Sequence, residues 1–203
     1  MARTGRPRIF DRDEALLQAM MLFWEQGFEA TSLLQLRAAM GDISAASFYA
    51  AFESKEALYK EVVERYMGTF GRVTESFSDL ALSPREAIET TLRSTAKMQT
   101  DSTHPSGCLI VLSASTCSSK NNHIRDIAAE KRKLTRNRLQ DCIQRAVDVG
   151  EIPASTNVAM LTTVFDTFMQ GISTQARDGV PHATIDQAIT EFMGIWNLVQ
   201  HSA

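Results

Sequence analysis

Three helix-start signals follow one another within two dozen residues: Thr31-Ser32, then Ser44, then Ser54. A hydroxyl side chain at such a position accepts a hydrogen bond from one of the first free amides of a helix. Gly41-Asp42 interrupts the chain between the first two signals, and Phe52-Glu53 precedes the third. This spacing predicts two short helices, Leu33 to Met40 and Ala45 to Ala51, joined by a Gly-containing turn. A longer helix then opens at Lys55 and runs toward Phe70. Another long helix comes before them. Asp11 is its N-cap, Glu14 completes a capping box, and Phe10 stands at the staple position. Leu16, Met20 and Phe23, with Ala15 and Ala19, share one face of it, and Gly27 supplies the stop. Two short helices across a tight turn, flanked by longer ones, have helix-turn-helix spacing inside a small helical bundle.

The remainder of the chain is helical as well. Ten Gly and five Pro in 203 residues are too few for a sandwich of short strands. Ser83-Pro84-Arg85-Glu86 opens a helix to about Thr100, and Thr103 to Gly107 breaks it. A buried segment from Cys108 to Ser115 follows, then a long amphipathic helix from about Asn122 to Val149 and two closing helices. The expected fold is all-α, with a helix-turn-helix head over residues 1–66 and a larger helical domain over 67–203. The longest apolar run, Cys108 to Leu112, is far short of the roughly 20 residues a membrane helix needs, so no membrane partner is expected. The basic N-terminus leads into no apolar segment and does not read as a signal peptide. Three scattered cysteines without a CxxC suit a reducing cytoplasm and give no reason to expect a metal. No nucleotide-binding, zinc-protease or serine-hydrolase motif occurs, and the four histidines are not paired, so neither an enzyme nor a cofactor is expected.

Charge sets a condition on any DNA reading. The net charge is −3, and residues 11–66 hold five bases against ten acids. A nucleic-acid-binding domain is usually more basic than this. Recognition would have to rest on local geometry and on the N-terminal arm with Arg3, Arg6 and Arg8. The second short helix is a thin rod of Ala45, Ala46, Ser47, Ala50 and Ala51, punctuated by Phe48, Tyr49 and Phe52. A thin helix can approach a groove floor, and the Tyr49 hydroxyl suits a phosphate. The same composition equally suits a tightly packed core helix.

Thr31-Ser32-Leu33, Ile43-Ser44-Ala45-Ala46-Ser47-Phe48-Tyr49 and Phe52-Glu53-Ser54-Lys55-Glu56-Ala57-Leu58 together resemble the DNA-binding domain of the TetR family of bacterial transcriptional regulators, over roughly residues 8–66. Pro105 to Leu112 and Gln175 to Gly179 are similar to one subgroup's ligand-binding and dimerisation domain. The resemblance implies a homodimer that binds a palindromic operator in double-stranded DNA, mostly as a repressor, and lets go when a small-molecule effector binds. By motif position, Thr31 would cap the second helix against a phosphate. Ser44, Tyr49 and Lys55 would hold the backbone, while Ala45, Ala46 and Ser47 would meet base edges. Two positions depart from the pattern: Ala46 where many members have Gly, and Ala51 where His is frequent. Arg6 and Arg8, with Arg3, have the form of a minor-groove-reading arm, with a nonspecific basic tail as the alternative.

The closing helices are apolar on several faces, which predicts pairing with the same helices of a second subunit through Ile189, Phe192, Met193 and Trp196. An intrasubunit core is the other reading of those residues. A pocket for an apolar effector could be lined by Met98, Leu112, Met160, Phe165, Phe168 and Met169, although helical spacing suits a plain core too. If residues 108–117 formed one helix, Cys108 and Cys117 would stand ~13.5 Å apart along it and face opposite ways. Small buried hydrophobes is therefore the preferred reading, and a redox or metal role stays open. A helical adaptor that binds protein and has lost sequence-specific DNA binding is the alternative function. Steep salt dependence would separate DNA binding from such an apolar contact.

Overall fold

The computed structural model describes residues 11–115 and 117–201. The arm residues Arg3, Arg6 and Arg8 lie outside them. The described residues form α-helices and short 3-10 stretches, with no strand among them. Helices α1 (Arg12–Ala30), α2 (Leu33–Ala39), α3 (Ala45–Phe52) and α4 (Lys55–Met67) build the head. A 3-10 segment, Phe70–Ser78, leads to α5 (Pro84–Gln99), the single-turn α6 (Leu109–Leu112), the long α7 (Asn122–Asp148), α8 (Val158–Arg177), α9 (His182–Phe192) and α10 (Gly194–Gln200).

The start signals operate with one change of residue. The Asp11 carboxylate accepts from the amides of Asp13 and Glu14, Ser44 Oγ from Ser47, and Ser54 Oγ from Ala57. At α2 the cap is Ser32, which forms a reciprocal box with Gln35. Thr31 is instead fully buried, and its hydroxyl donates to the Gly27 carbonyl at 2.7 Å. The expected phosphate role of Thr31 is thereby corrected, because a side chain with 0% exposure cannot meet DNA. Two further expectations shift. The helix from Lys55 ends at Met67 and passes into the 3-10 segment. Among the described residues from Cys108 to Cys117, only the four-residue α6 is helical.

Two apolar cores hold the molecule. One joins Phe23, Trp24 and Phe28 of α1 to Phe48 and Phe52 of α3 and to Tyr59 and Tyr66 of α4. It does not stop at the head: Leu109 and Ile110 of α6 and Ile124 and Ala128 of α7 belong to it. The other joins Ile88 and Leu92 of α5, Leu139 and Ile143 of α7, Phe165 and Ile172 of α8, and Ile189 and Trp196 near the C-terminus. Polar bonds reinforce the seam where α1 and α4 meet α6. The Phe28 amide donates to Ser113 O at 2.8 Å, and the hydroxyls of Tyr59 and Ser113 lie 2.6 Å apart. Gly27 (φ +79°) permits this approach, since a Cβ there would lie 3.1 Å from Ser113 O. Arg177 of α8 donates to the carbonyls of Trp24 and Glu25 at 2.7 and 3.0 Å. The helix-turn-helix head is therefore bolted to the helices beneath it.

Burial pushes the Tyr59 phenol up to about 12, with the Ser113 bond opposing it, and drives Tyr66 well above its ordinary value. A phenol raised on folding stabilises the fold fully below its unfolded value and loses that contribution as pH rises. The window here runs from about pH 10 to 12, and Tyr59 alone accounts for about 1 kcal/mol by pH 11. Urea midpoints should accordingly fall between pH 9 and 11, together with tyrosinate absorbance from Tyr59 and Tyr66 that appears on unfolding. Midpoints that hold steady across that interval would contradict the burial of these phenols.

Candidate nucleic-acid interface and adjoining cavity

The turn between α2 and α3 is fixed by backbone geometry and one clamp. Gly41 and Asp42 both adopt positive φ, +88° and +59°, and Arg37 Nε donates to Ile43 O at 2.8 Å. Phe48 and Phe52 point inward and are buried. That leaves Ser44, Ala46, Ser47, Tyr49 and Ala50 exposed, with Ala45 half-buried. The thin rod is thus a core helix on one side and a solvent-facing helix on the other, so both sequence readings describe part of it. Tyr49 is 51% exposed, with its ring edge-on to Phe48. Ser44 and Ser47 place their hydroxyls 2.9 Å apart at the N-terminus of α3, where the helix dipole is positive.

Other residues of this face were not expected. Ser32, Leu34 and Gln35 are exposed at the start of α2, and Ala50 follows Tyr49 on α3. The Ser-x-x-Gln box at 32–35 was a readable signal that pointed to Ser32 over Thr31. Lys55 differs more. It is half-buried, with its ammonium 4.3 Å from the centre of the Phe28 ring, and burial lowers its pKa. The expected backbone-holding role of Lys55 is corrected to that extent: in this structure the ammonium rests on the head's own core.

The surplus of acids in the head does not fall on this face. Of the ten acids between 11 and 66, only Asp42 and Glu53 lie from the N-cap of α2 to the C-cap of α3. The others stand on or beside α1 and α4, several of them paired. Glu61 binds Arg12 at 2.7 Å, Glu64 binds Lys131 at 2.6 Å, and Asp13 and Glu25 meet Arg65 and Arg177. Apart from Leu34, Asp42 and Glu53, the exposed side of the helix-turn-helix is mostly neutral hydroxyls, small residues and a helix N-terminus.

A cavity of about 60 Å³ lies between the 3-10 segment, α5, α6, α7 and α8. Met98 and Met169, both expected as pocket residues, line it together with Tyr66, Gly71, Thr95, Gln99, Cys108, Arg132 and Asp166. The other four expected residues are elsewhere. Phe165 is buried in the second core, Phe168 stacks on Phe192, Leu112 lies against Gly107, and Met160 is 61% exposed in a separate shallow groove. Most polar groups of the cavity are committed within the chain. Asp166 accepts from Arg136 and Gln170 at 2.7 and 2.8 Å, and Arg132 donates to Ile110 O at 2.6 Å. The Tyr66 hydroxyl donates to Cys108 Sγ at 3.4 Å, and burial pushes the Cys108 thiol up. Among the described residues all three cysteines are free, and no group of three or more potential metal ligands occurs. One wall of the cavity leads to the head. The Gln99 carbonyl accepts from the Gly107 amide at 2.9 Å, and the Gly107 carbonyl accepts from Trp24 Nε1 at 3.0 Å.

The expected subunit contacts need correction too. Ile189, Met193 and Trp196 are buried within a single chain, Trp196 completely, because α9 and α10 fold back over α8 and α5. Residues without exposed surface cannot meet a partner. Phe192 is half-buried, and its ring lies 3.8 Å from that of Phe168. Beside this pair runs a shallow groove with Gly171, Gln175, Thr184 and Ala188 exposed along it.

Two family models match the chain. Bacterial regulatory proteins of the tetR family match residues 15–62, and the tetracyclin repressor-like C-terminal domain matches residues 84–192. The HTH-type transcriptional repressor ComR of Escherichia coli (strain K12) is 32% identical over 194 residues, 95% of this chain and 91% of ComR. The repressor BdcR of the same organism is 28% identical over 86% of the chain and 83% of BdcR. A cysteine mutant of the TetR family transcriptional regulator CifR, solved with 26bp double-strand operator DNA, is 37% identical. It superposes with a TM-score of 0.87 over 94% of this chain and 100% of that one.

Proposed function

The chain belongs to the TetR family of bacterial regulatory proteins, and from that premise we propose how its parts divide the work. The protein is a ligand-responsive transcriptional repressor that binds operator DNA as a homodimer. The observation that carries the residue assignment is the exposed face of α3. Everything large on that helix except Tyr49 is turned inward, so its small residues can enter a major groove closely. Ala46, Ser47 and Ala50 meet base edges and thymine methyls. Ser44, Tyr49 and the start of α2 at Ser32 and Gln35 hold phosphates. Such contacts need few cations, which reconciles an acidic head with DNA binding. The arm at Arg6 and Arg8 adds minor-groove contacts. The work is done in the cytoplasm, with no catalytic step and no metal.

The cavity beneath the head holds the effector. Its signal travels along Gln99, Gly107 and Trp24, so a shift of the C-terminal end of α5 pulls on the core of α1. The partner subunit packs on the groove between α8 and α9, beside Phe168 and Phe192. A side chain at Gly171 would meet nothing within 4 Å in the subunit. Gly171→Arg should therefore leave a folded monomer in sedimentation velocity runs; an intact dimer would place the interface elsewhere.

Tyr49→Ala tests the reading face. Its affinity for a duplex recovered by selection should fall about tenfold, with helicity and dimer mass unchanged, since a charge-assisted hydrogen bond to phosphate is removed. Fluorescence anisotropy across a salt series should show a steep slope for the parent and a shallower one for the variant. Equal affinities would remove Tyr49 from the contact.

A further inference from the structure

Along the inner face of α5, Thr91, Thr95 and Gln99 follow at four-residue intervals, all 3% exposed or less. None of Thr91 Oγ1, Thr95 Oγ1 and Gln99 Oε1 has a hydrogen-bond partner. Thr100, Thr162 and Thr163 turn their hydroxyls back to the carbonyl four residues earlier, whereas Thr91 and Thr95 do not. Native interiors seldom leave such groups unmet. Thr95 and Gln99 both line the cavity described above. Among the lining residues, the side-chain oxygens of Thr74, Tyr66 and Asp166 already have partners in the chain. We infer that the effector is a small uncharged alcohol whose hydroxyl donates to Gln99 Oε1 and accepts from Thr95 Oγ1. This deepens the effector reading given above and rests on it.

Three physical arguments fix the class. A hydroxyl is both donor and acceptor, so one group satisfies both side chains; an ether or a ketone could serve only Thr95. Room of about 60 Å³ corresponds to about four to six water-sized places, which admits a compact molecule of roughly five to eight non-hydrogen atoms. The rest of the wall near these oxygens includes Met98, Ile110, Val111 and Met169, which suit an aliphatic body. A carboxylate, like an ether, brings no donor for Gln99 Oε1. Gln99 also stands where binding can be felt by the head, because its own carbonyl holds the Gly107 amide.

The test compares three probes of nearly equal size with the full-length protein by ligand-observed NMR titration. These are 1-pentanol, its isomer 1-methoxybutane, which lacks the donor, and pentanoate, which carries the charge. The alcohol should bind about tenfold more tightly than either of the others. Gln99→Leu should remove that preference while leaving ether binding and the thermal melt intact, since the Gln99 side-chain oxygen gives up no bond. Thr95→Val serves as the second variant. Equal binding of alcohol and ether, tighter binding of pentanoate, binding of none, or an unchanged preference in both variants would each overturn the assignment. Release of a selected duplex by 1-pentanol is read separately by anisotropy. Tight alcohol binding without release keeps the ligand class and counts against its role as effector. Loss of all probe binding by a protein that still holds DNA refutes the class alone.

Discussion

Trp196→Ala lowers the unfolding free energy by about 3–5 kcal/mol and does so in the monomer as well as in the dimer. Trp196 is completely buried, edge-on to Phe165 with ring centres 6.0 Å apart, in the core that also holds Ile88, Ile143 and Ile189. Truncation would leave a cavity that α5, α8 and α9 can close only by moving together. The indole N–H has no partner, so Trp196→Phe should cost distinctly less, because it keeps an aromatic ring and removes a buried donor without an acceptor. Denaturant melts of both variants, repeated in the Gly171→Arg background, separate core from interface. A Trp196→Ala protein that dissociates while its subunits melt like the parent would return this residue to the subunit interface.

The second large effect is expected at Gly107. Its φ is +80°, and a Cβ there would lie 2.6 Å from Leu112 Cδ1 and 2.8 Å from Ser173 O. The leucine end can yield, but the carbonyl belongs to helix α8 and cannot. Left-handed strain of about 1–2 kcal/mol then adds to roughly 1–3 kcal/mol of overpacking. Gly107→Ala should therefore lose about 2–5 kcal/mol of stability. The damage would also be local. Gly107 links Gln99 to Trp24, and the next amide, that of Cys108, donates to Ser173 Oγ at 2.8 Å. Displacing the loop loosens the Trp24 indole from its acceptor and from the stacked His104 ring, 4.5 Å away. Trp emission should shift in the folded variant, and effector-driven release from DNA should weaken even where DNA affinity survives. Parent-like melting and emission would show that the loop has room the structure does not provide.

Several features are legible in the sequence. Caps at Asp11, Ser44, Ser54 and Ser83 and the break from Thr103 to Gly107 are local effects, set by one residue and its neighbours in sequence, whereas Gly27 only kinks α1, which continues to Ala30. They place the helices to within a few residues and expose Ser44, Ser47 and Tyr49 together. Thr31 and Ser32 both carry a hydroxyl, and what separates them is Gln35, three residues after Ser32, which closes the reciprocal box. What the sequence could not rank was burial between distant elements. Trp196, Phe165 and Ile189 have the periodicity of an interface and of a core alike, and only the fold of α9 and α10 over α8 distinguishes them. The family motif implies a phosphate-holding role for Lys55, and nothing local shows that Phe28, far from it in the chain, supplies a ring beneath its ammonium. The cavity residues Thr95 and Gln99 are not legible in the sequence for a related reason. They are polar residues within an amphipathic helix, and nothing local says that their oxygens are buried without partners.

The central claim is that the exposed side of α3 reads a palindrome as part of a dimer. The direct measurement is a selection of random duplexes by the purified full-length protein at moderate salt, run in parallel with Tyr49→Ala and Gly171→Arg. The account predicts an enriched palindrome whose half-sites lie about one helical turn, or a multiple of it, apart, recovered by the parent and by neither variant. A folded, dimeric parent that enriches no sequence would contradict it, and would favour a protein-binding adaptor built on the same fold.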